Sequence, residues 1–262
     1  MPFRRRRRWK KFVRRVRSVL NKSLGTISIV MNSSILASSA NGTQNLIGMA
    51  LYGARGLDSR GYRDLWNIFT GVIGNAVTIQ RHKLLFKSGV LDVTFANVAS
   101  EENASMELDV YEYIAKRRTV GFSNAGALVT DAEADNLPLA APFTDLLGTT
   151  CGWTPFQSPS MSQYLRWIKK TKFMLGVGQS CTYQMRDPRD HLISGELLEE
   201  GSEVNATGMF ALPPYTRGLL VVFKGVPNGT SGCPAVNLHA GITRTYSVAE
   251  LENNENRDGA YP

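Results

Sequence analysis

Five consecutive arginines, Arg4 to Arg8, sit in a leading segment, MPFRRRRRWKKFVRRVRSVLNK, that no folded core can absorb. With Lys10, Lys11, Arg14, Arg15, Arg17 and Lys22 it holds eleven cations in 22 residues, and the first carboxylate of the chain is Asp58. Like charges at this density repel one another and bury too little apolar surface to offset their ordering entropy. The segment is therefore expected to stay a disordered or partly helical arm until a polyanion neutralises it. Removing those eleven from the 30 Lys and Arg leaves 19 against 22 Asp and Glu, a formal charge of −3 for residues 23–262 beneath an overall +8. The basic character belongs to the arm, and two regions follow: residues 1–23 as the arm and 24–262 as the folded domain.

Nucleic acid is the polyanion such an arm fits, because each phosphate neutralised by Arg or Lys releases a condensed counterion without any reading of base sequence. Arginine suits the task, since its planar fork grips two phosphate oxygens together. The expected nucleic-acid-binding residues are Arg4, Arg5, Arg6, Arg7, Arg8, Trp9, Lys10, Lys11, Arg14, Arg15, Arg17 and Lys22. The same run serves as a nuclear localisation signal, and the two roles are compatible. A transit peptide is also Arg-rich, but five arginines in a row leave no apolar face over that segment. From Trp9 onward Trp9, Phe12, Val13, Val16 and Leu20 fall at helical spacing. A basic amphipathic helix there could lie on a bilayer or pack against its own copies.

The body reads as β structure. No apolar run approaches the ~18 residues of a membrane span, and no signal-peptide segment opens the chain, so a soluble protein made inside the cell is expected, without stable membrane insertion. Residues 24–36 favour a first strand, followed by a long loop. Tyr62, Leu65, Trp66 and Phe69 instead recur at helical spacing, predicting a helix over 58–70 closed by Gly71. Alternation predicts strands at 83–97 (with a bulge at Gly89), 105–116, 164–177 and 181–187. The unbroken apolar run LLVVF (219–223) predicts a central strand covered on both faces. Val236, Leu238, Ala240 and Ile242 alternate in a last strand, and Ser247 with Glu250 resembles a capping box for a short final helix. Residues 124–163, rich in proline, and 190–215 read as long connections. Helix is confined to loops, and no β-then-helix repeat suggests a parallel fold. The expected class is all-β: two antiparallel sheets in a single eight-stranded jelly-roll sandwich, the sandwich that most readily accepts long uneven loops.

Catalytic chemistry is not assembled in this sequence. It has no phosphate-binding GxxxxGK[ST] loop, no GxSxG elbow and no HExxH pair, and His82, His191 and His239 are isolated along the chain. No catalytic residue, cofactor or metal site is expected. Glu107, Asp109 and Glu112, or Asp187 with Asp190, offer oxygen ligands for calcium at a subunit boundary, against the plainer reading of solvated faces and intersubunit ion pairs. Arg166, Lys169, Lys170 and Lys172 form a second basic cluster beside Tyr164 and Trp167. It could line a nucleic-acid surface, although Lys170 and Lys172 share a strand face that Lys169 does not. Cys151, Cys181 and Cys233, odd in number and widely spaced, are expected to be buried thiols.

With its Arg-rich lead, a β-rich body and the segments LDVYEYIAKR (108–117), KKTKFMLGVGQSCTYQMRDPR (169–189) and YTRGLLVVFKG (215–225), the chain resembles the capsid proteins of small viruses with circular, Rep-encoding single-stranded DNA genomes. That resemblance implies a jelly roll and self-assembly into an icosahedral (T=1) shell of about 60 copies. It further implies an internal arm on a packaged single-stranded DNA genome, engagement of the host nuclear import machinery and of a host-cell receptor, and residence in the virion and, during assembly, the host nucleus. The alternative is a cellular nucleic-acid-binding protein with a basic tail on a β-sandwich. A third class, a carbohydrate-binding or enzymatic jelly roll, would need a pocket of convergent polar and aromatic groups.

Overall fold

The computed structural model describes residues 25–54, 63–73, 79, 82–98, 104–116, 119–120, 151–157, 162, 165–199, 209–227 and 232–251. Eleven strands lie among them: β1 (Ile27–Ser39), β2 (Asn45–Leu51), β3 (Lys83–Val98), β4 (Met106–Ala115), β5 (Thr119–Val120), β6 (Leu165–Leu175), β7 (Ser180–Asp187), β8 (His191–Ser194), β9 (Met209–Ala211), β10 (Arg217–Gly225) and β11 (Val236–Leu251). Helix is limited to α1 (Asp64–Ile73), α2 (Glu196–Glu199) and a 3-10 turn at Pro155–Gln157.

The long strands form two antiparallel sheets. One runs β1-β11-β3-β7, with β8 also on β3; the other runs β2-β10-β4-β6. With the eight long strands numbered one to eight in chain order, the sheets read 1-8-3-6 and 2-7-4-5, so neighbours in sequence fall mostly on opposite sheets. That interleaving is the strand order of a jelly roll. The body is a jelly roll, as the alternation predicts.

Alternation places the core. Leu91, Val93 and Phe95 from β3, Tyr183 and Met185 from β7, and Leu238, Ala240 and Ile242 from β11 face Met106, Leu108 and Val110 from β4 and Leu219, Val221 and Phe223 from β10. β10 lies between β2 and β4, and its Leu220 and Val222 are buried on the opposite face in a second apolar cluster. LLVVF is thus the doubly covered strand its sequence predicts.

Helix α1 packs Leu65, Ile68 and Phe69 into the core, with Trp66 half-buried against it. It starts at Asp64, and residues 58–62 of the expected helix lie outside the described residues. Gly71 does not close it, because the helix continues to Ile73.

Other departures have local causes. NLIGMAL (45–51) is strand β2 rather than loop; being buried on both faces, it shows no polar alternation to read. The connection at 190–215 holds β8, α2 and β9. Ser247 to Leu251 does not turn helical. It continues β11, where Val248 and Ala249 are buried opposite Phe86 and Leu85, and this pairing outweighs the local capping signal. The bulge in β3 falls at Lys87, where the register skips from Ser88 to Phe86, and not at Gly89. Gly89 is required for another reason: a side chain there would collide with the hydroxyl end of Tyr52. Of the proline-rich connection at 124–163 only residues 151–157 and 162 are described. Among the described residues no helix is long and apolar enough to cross a membrane.

Candidate functional site

The arm residues Arg4 to Lys22 lie outside the described residues, as does Tyr164. In sequence the arm precedes β1, an outermost strand of the β1-β11-β3-β7 sheet.

The second basic cluster is resolved on the outer face of the other sheet. Outward side chains of β4, β6 and β10 meet there, because Asp109 is opposite Lys172 and Val222, and Tyr111 is opposite Lys170 and Leu220. Lys172 Nζ donates to Glu107 Oε1 at 2.7 Å, Lys170 Nζ lies 2.8 Å from Asp109 Oδ2, and Lys224 Nζ is 3.6 Å from Glu107 Oε1. Burial works against the charge on Glu107, but the Lys172 hydrogen bond and the Lys224 charge outweigh it and hold the carboxyl below its usual value. The same contacts raise Lys172, chiefly through the bond to Glu107. Lys170 also rises, since its bonds to Asp109 and Tyr111 overcome its desolvation. These lysines are spent on carboxylates of their own subunit.

Lys169 points to the other side, its Nζ 5.4 Å from the Tyr183 ring centroid, as the strand period requires. Trp167 is half-buried against the second apolar cluster. It makes T-shaped contacts with Tyr111, Tyr113 and Phe156. The calcium reading of Glu107, Asp109 and Glu112 gives way to these ion pairs and to Glu112 accepting a hydrogen bond from the Tyr183 hydroxyl, which burial and that bond push up to about 12.

A cleft of about 210 Å³ opens beside the ladder, between Lys170, Lys172 and Lys224 and the segment Gly152–Thr154. Gln44 holds that segment: its Nε2 donates to the Trp153 carbonyl at 3.0 Å, and its Oε1 accepts from the Gly152 amide at 3.0 Å. Trp153 then seals Tyr111, Tyr113, Leu220 and Val222. Cys151 and Cys233 are joined by a disulfide across 82 residues, which corrects the expectation of three thiols. Distance in sequence gave no hint that the two loops meet. Cys181 remains a half-buried thiol, pushed up by burial.

Two buried ion clusters tie loops to strand ends. Asp187, fully buried, accepts from His191 Nε2 at 2.7 Å, from the Arg189 amide at 3.2 Å, and lies 2.9 Å from Arg217 Nε. Burial alone would raise its carboxyl, yet His191, Arg217 and the amide together bring it below its ordinary value. Asp64 at the start of α1 meets Arg244 Nε at 2.8 Å and accepts from the Tyr246 hydroxyl, fixing the helix to β11. Here burial wins over Arg244 and the Tyr246 bond, and the carboxyl is raised. Asp190 belongs to no resolved oxygen cage with Asp187; among the described residues no group of three or more His, Cys, Asp or Glu is placed to hold a metal. His82 and His239 stand apart from the Asp187 cluster.

No family model matches the chain, and no curated protein matches it. Solved structures do. The chain is similar to the Bombyx mori densovirus 1 capsid at 9% identity and a TM-score of 0.41, over 89% of this chain and 84% of that one. It is similar to turnip yellow mosaic virus at 12% identity and a TM-score of 0.32, over 89% and 86%. Against maize chlorotic mottle virus the identity is 10% and the TM-score 0.30, over 86% and 93%. Likenesses this distant carry no inference about role, and the jelly roll is established by the strand order alone.

The residues that sequence reading missed are those acting across distance. Lys224, Gln44 and Trp153 come from three different connections and strands, and no local spacing links them to Glu107 or Asp109.

Proposed function

We propose that this chain is a structural shell subunit: a viral capsid protein whose jelly-roll body assembles with its own copies and whose Arg4–Arg8 arm holds packaged single-stranded DNA. One observation carries the reading. Eleven cations are confined to 22 residues of the sequence ahead of β1, while residues 23–262 are formally −3 and Lys170 and Lys172 are paired with Asp109 and Glu107 of the same subunit.

A near-neutral body lets copies approach, whereas the same positive charge spread over its surface would oppose assembly. Closed symmetry buries every repeated contact without leaving an open end. About 60 copies would concentrate roughly 660 arm cations on the inside, enough to neutralise a substantial part of a genome of roughly two thousand phosphates. The arginine run also suits recognition by the nuclear import machinery before assembly. A cellular nucleic-acid-binding protein would carry cations over the folded surface as well, and here Lys170 and Lys172 of the body's basic cluster are paired with carboxylates of their own subunit.

Electron microscopy of the purified full-length chain tests the proposal. Uniform hollow particles are expected. A chain that stays monomeric at low and high salt, with and without nucleic acid, contradicts it.

A further inference from the structure

Strand β1 ends its sheet. It pairs with β11 along all thirteen residues, from Ile27 opposite Val248 to Ser39 opposite Val236, and among the described residues nothing pairs with its other edge. Its sequence, ISIVMNSSILASS, has no charged residue and no proline, the features that usually blunt such an edge against pairing. On the face turned from the core stand Val30 and Leu36, 56% and 68% exposed, and Leu36 is the most exposed large apolar side chain among the described residues. A long uncharged edge of this kind is a template for another strand.

The hydropathy of β1 is symmetric about Ser33. Moving outward from it in both directions, Asn32 corresponds to Ser34, Met31 to Ile35, Val30 to Leu36, Ile29 to Ala37 and Ser28 to Ser38. Only Ile27 with Ser39 breaks the match. This matters because a two-fold axis normal to a sheet pairs a strand antiparallel with its own copy. Each residue then meets the one equally far beyond the axis, and each side chain keeps its face. An axis at Asn32 would set Val30 against Ser34, and an axis at Ser34 would set Val30 against Ser38. The axis at Ser33 sets apolar against apolar on both faces.

We propose that β1 is a self-pairing edge, joining two copies of this chain antiparallel across a two-fold axis at Ser33, with Val30 of each copy opposite Leu36 of the other. The joined β1-β11-β3-β7 sheets become one continuous sheet, and the four exposed side chains cover each other. This names one subunit contact of the proposed shell and does not depend on the arm.

Cross-linking of the full-length chain tests it, because directly opposed residues on antiparallel strands have Cα atoms about 4.5–5.5 Å apart, within the span a disulfide bridges. A mixture of Val30→Cys and Leu36→Cys chains, oxidised and run without reductant, is expected to give a covalent dimer, and either variant alone is expected to give none. A Val30→Cys/Ser34→Cys chain serves as the off-register control and should also give none. Absence of the dimer from the mixture, or equal dimer in the single variants, overturns the proposal. So does a cross-link that forms only after residues 1–22 are removed, since the arm would then be the occupant of the edge. Both positions are exposed, so the variants fold; Val30→Lys should weaken association about tenfold and Leu36→Glu in the same chain should restore it. Closed particles without the cross-link would overturn this contact and leave the shell reading standing. Cross-linked dimers that never form particles would do the reverse.

Discussion

At Asp187 a fully buried carboxylate is held by His191, Arg217 and the Arg189 amide, and its removal strands the charges around it. Asp187→Asn is expected to cost about 3 kcal/mol at neutral pH, as breaking a buried ion pair from one side does. Its pH dependence has a definite sign. The folded carboxyl lies below its ordinary value of 3.8, so the stabilisation is present above that value and is lost as pH falls through the lower, folded one. Urea midpoints of wild type and Asp187→Asn should therefore differ clearly near neutrality and converge in strong acid. Equal midpoints near neutrality would show that the cluster contributes nothing. Gly218 makes a steric prediction: a methyl there meets the Met49 carbonyl and the Tyr113 ring, so Gly218→Ala should lower the midpoint where an alanine at open Gly241 should not.

Among the elements, the segment around Trp153 covers part of the outer face of the β2-β10-β4-β6 sheet. Trp153 is 3% exposed over Leu220, Val222 and two tyrosines, so Trp153→Ala should cost about 3–5 kcal/mol, measured by denaturant unfolding. The disulfide beside it predicts that alkylation of the unfolded, unreduced chain labels one cysteine, Cys181, where a reduced chain labels three. Alternation reveals the strands with one face in the core and one in water, and the unbroken run LLVVF reveals the doubly covered β10. In β3, β4, β7 and β11 apolar and polar residues alternate, and the alternation gives both strand and face. β2 hides because Ile47, Met49 and Leu51 alternate with Gly48 and Ala50, which are buried too. Lys170 and Lys172 could be assigned to one face by the strand period, but not their partners, since Asp109 and Glu107 stand on another strand more than sixty residues earlier. Asp64 with Arg244, and Cys151 with Cys233, are joined only by the return of the chain at the sandwich ends. The residue-level site is legible where it is local, as the arginine run is, and illegible where the topology assembles it.

For the whole molecule, the separation of arm from body sets how binding responds to salt. If Arg4–Arg8 each neutralise a phosphate, replacing all five with alanine should reduce the slope of log affinity against log salt on single-stranded DNA by roughly 3 to 4, with little dependence on base sequence. An unchanged slope would move the binding surface to the folded body. The decisive measurement is the nucleic acid protected from nuclease inside assembled protein, compared between the full-length chain and one lacking residues 1–22. The account predicts closed particles from both chains, with protected nucleic acid in the first and almost none in the second. Particles from the truncated chain that protect as much nucleic acid as those of the full-length chain would contradict it.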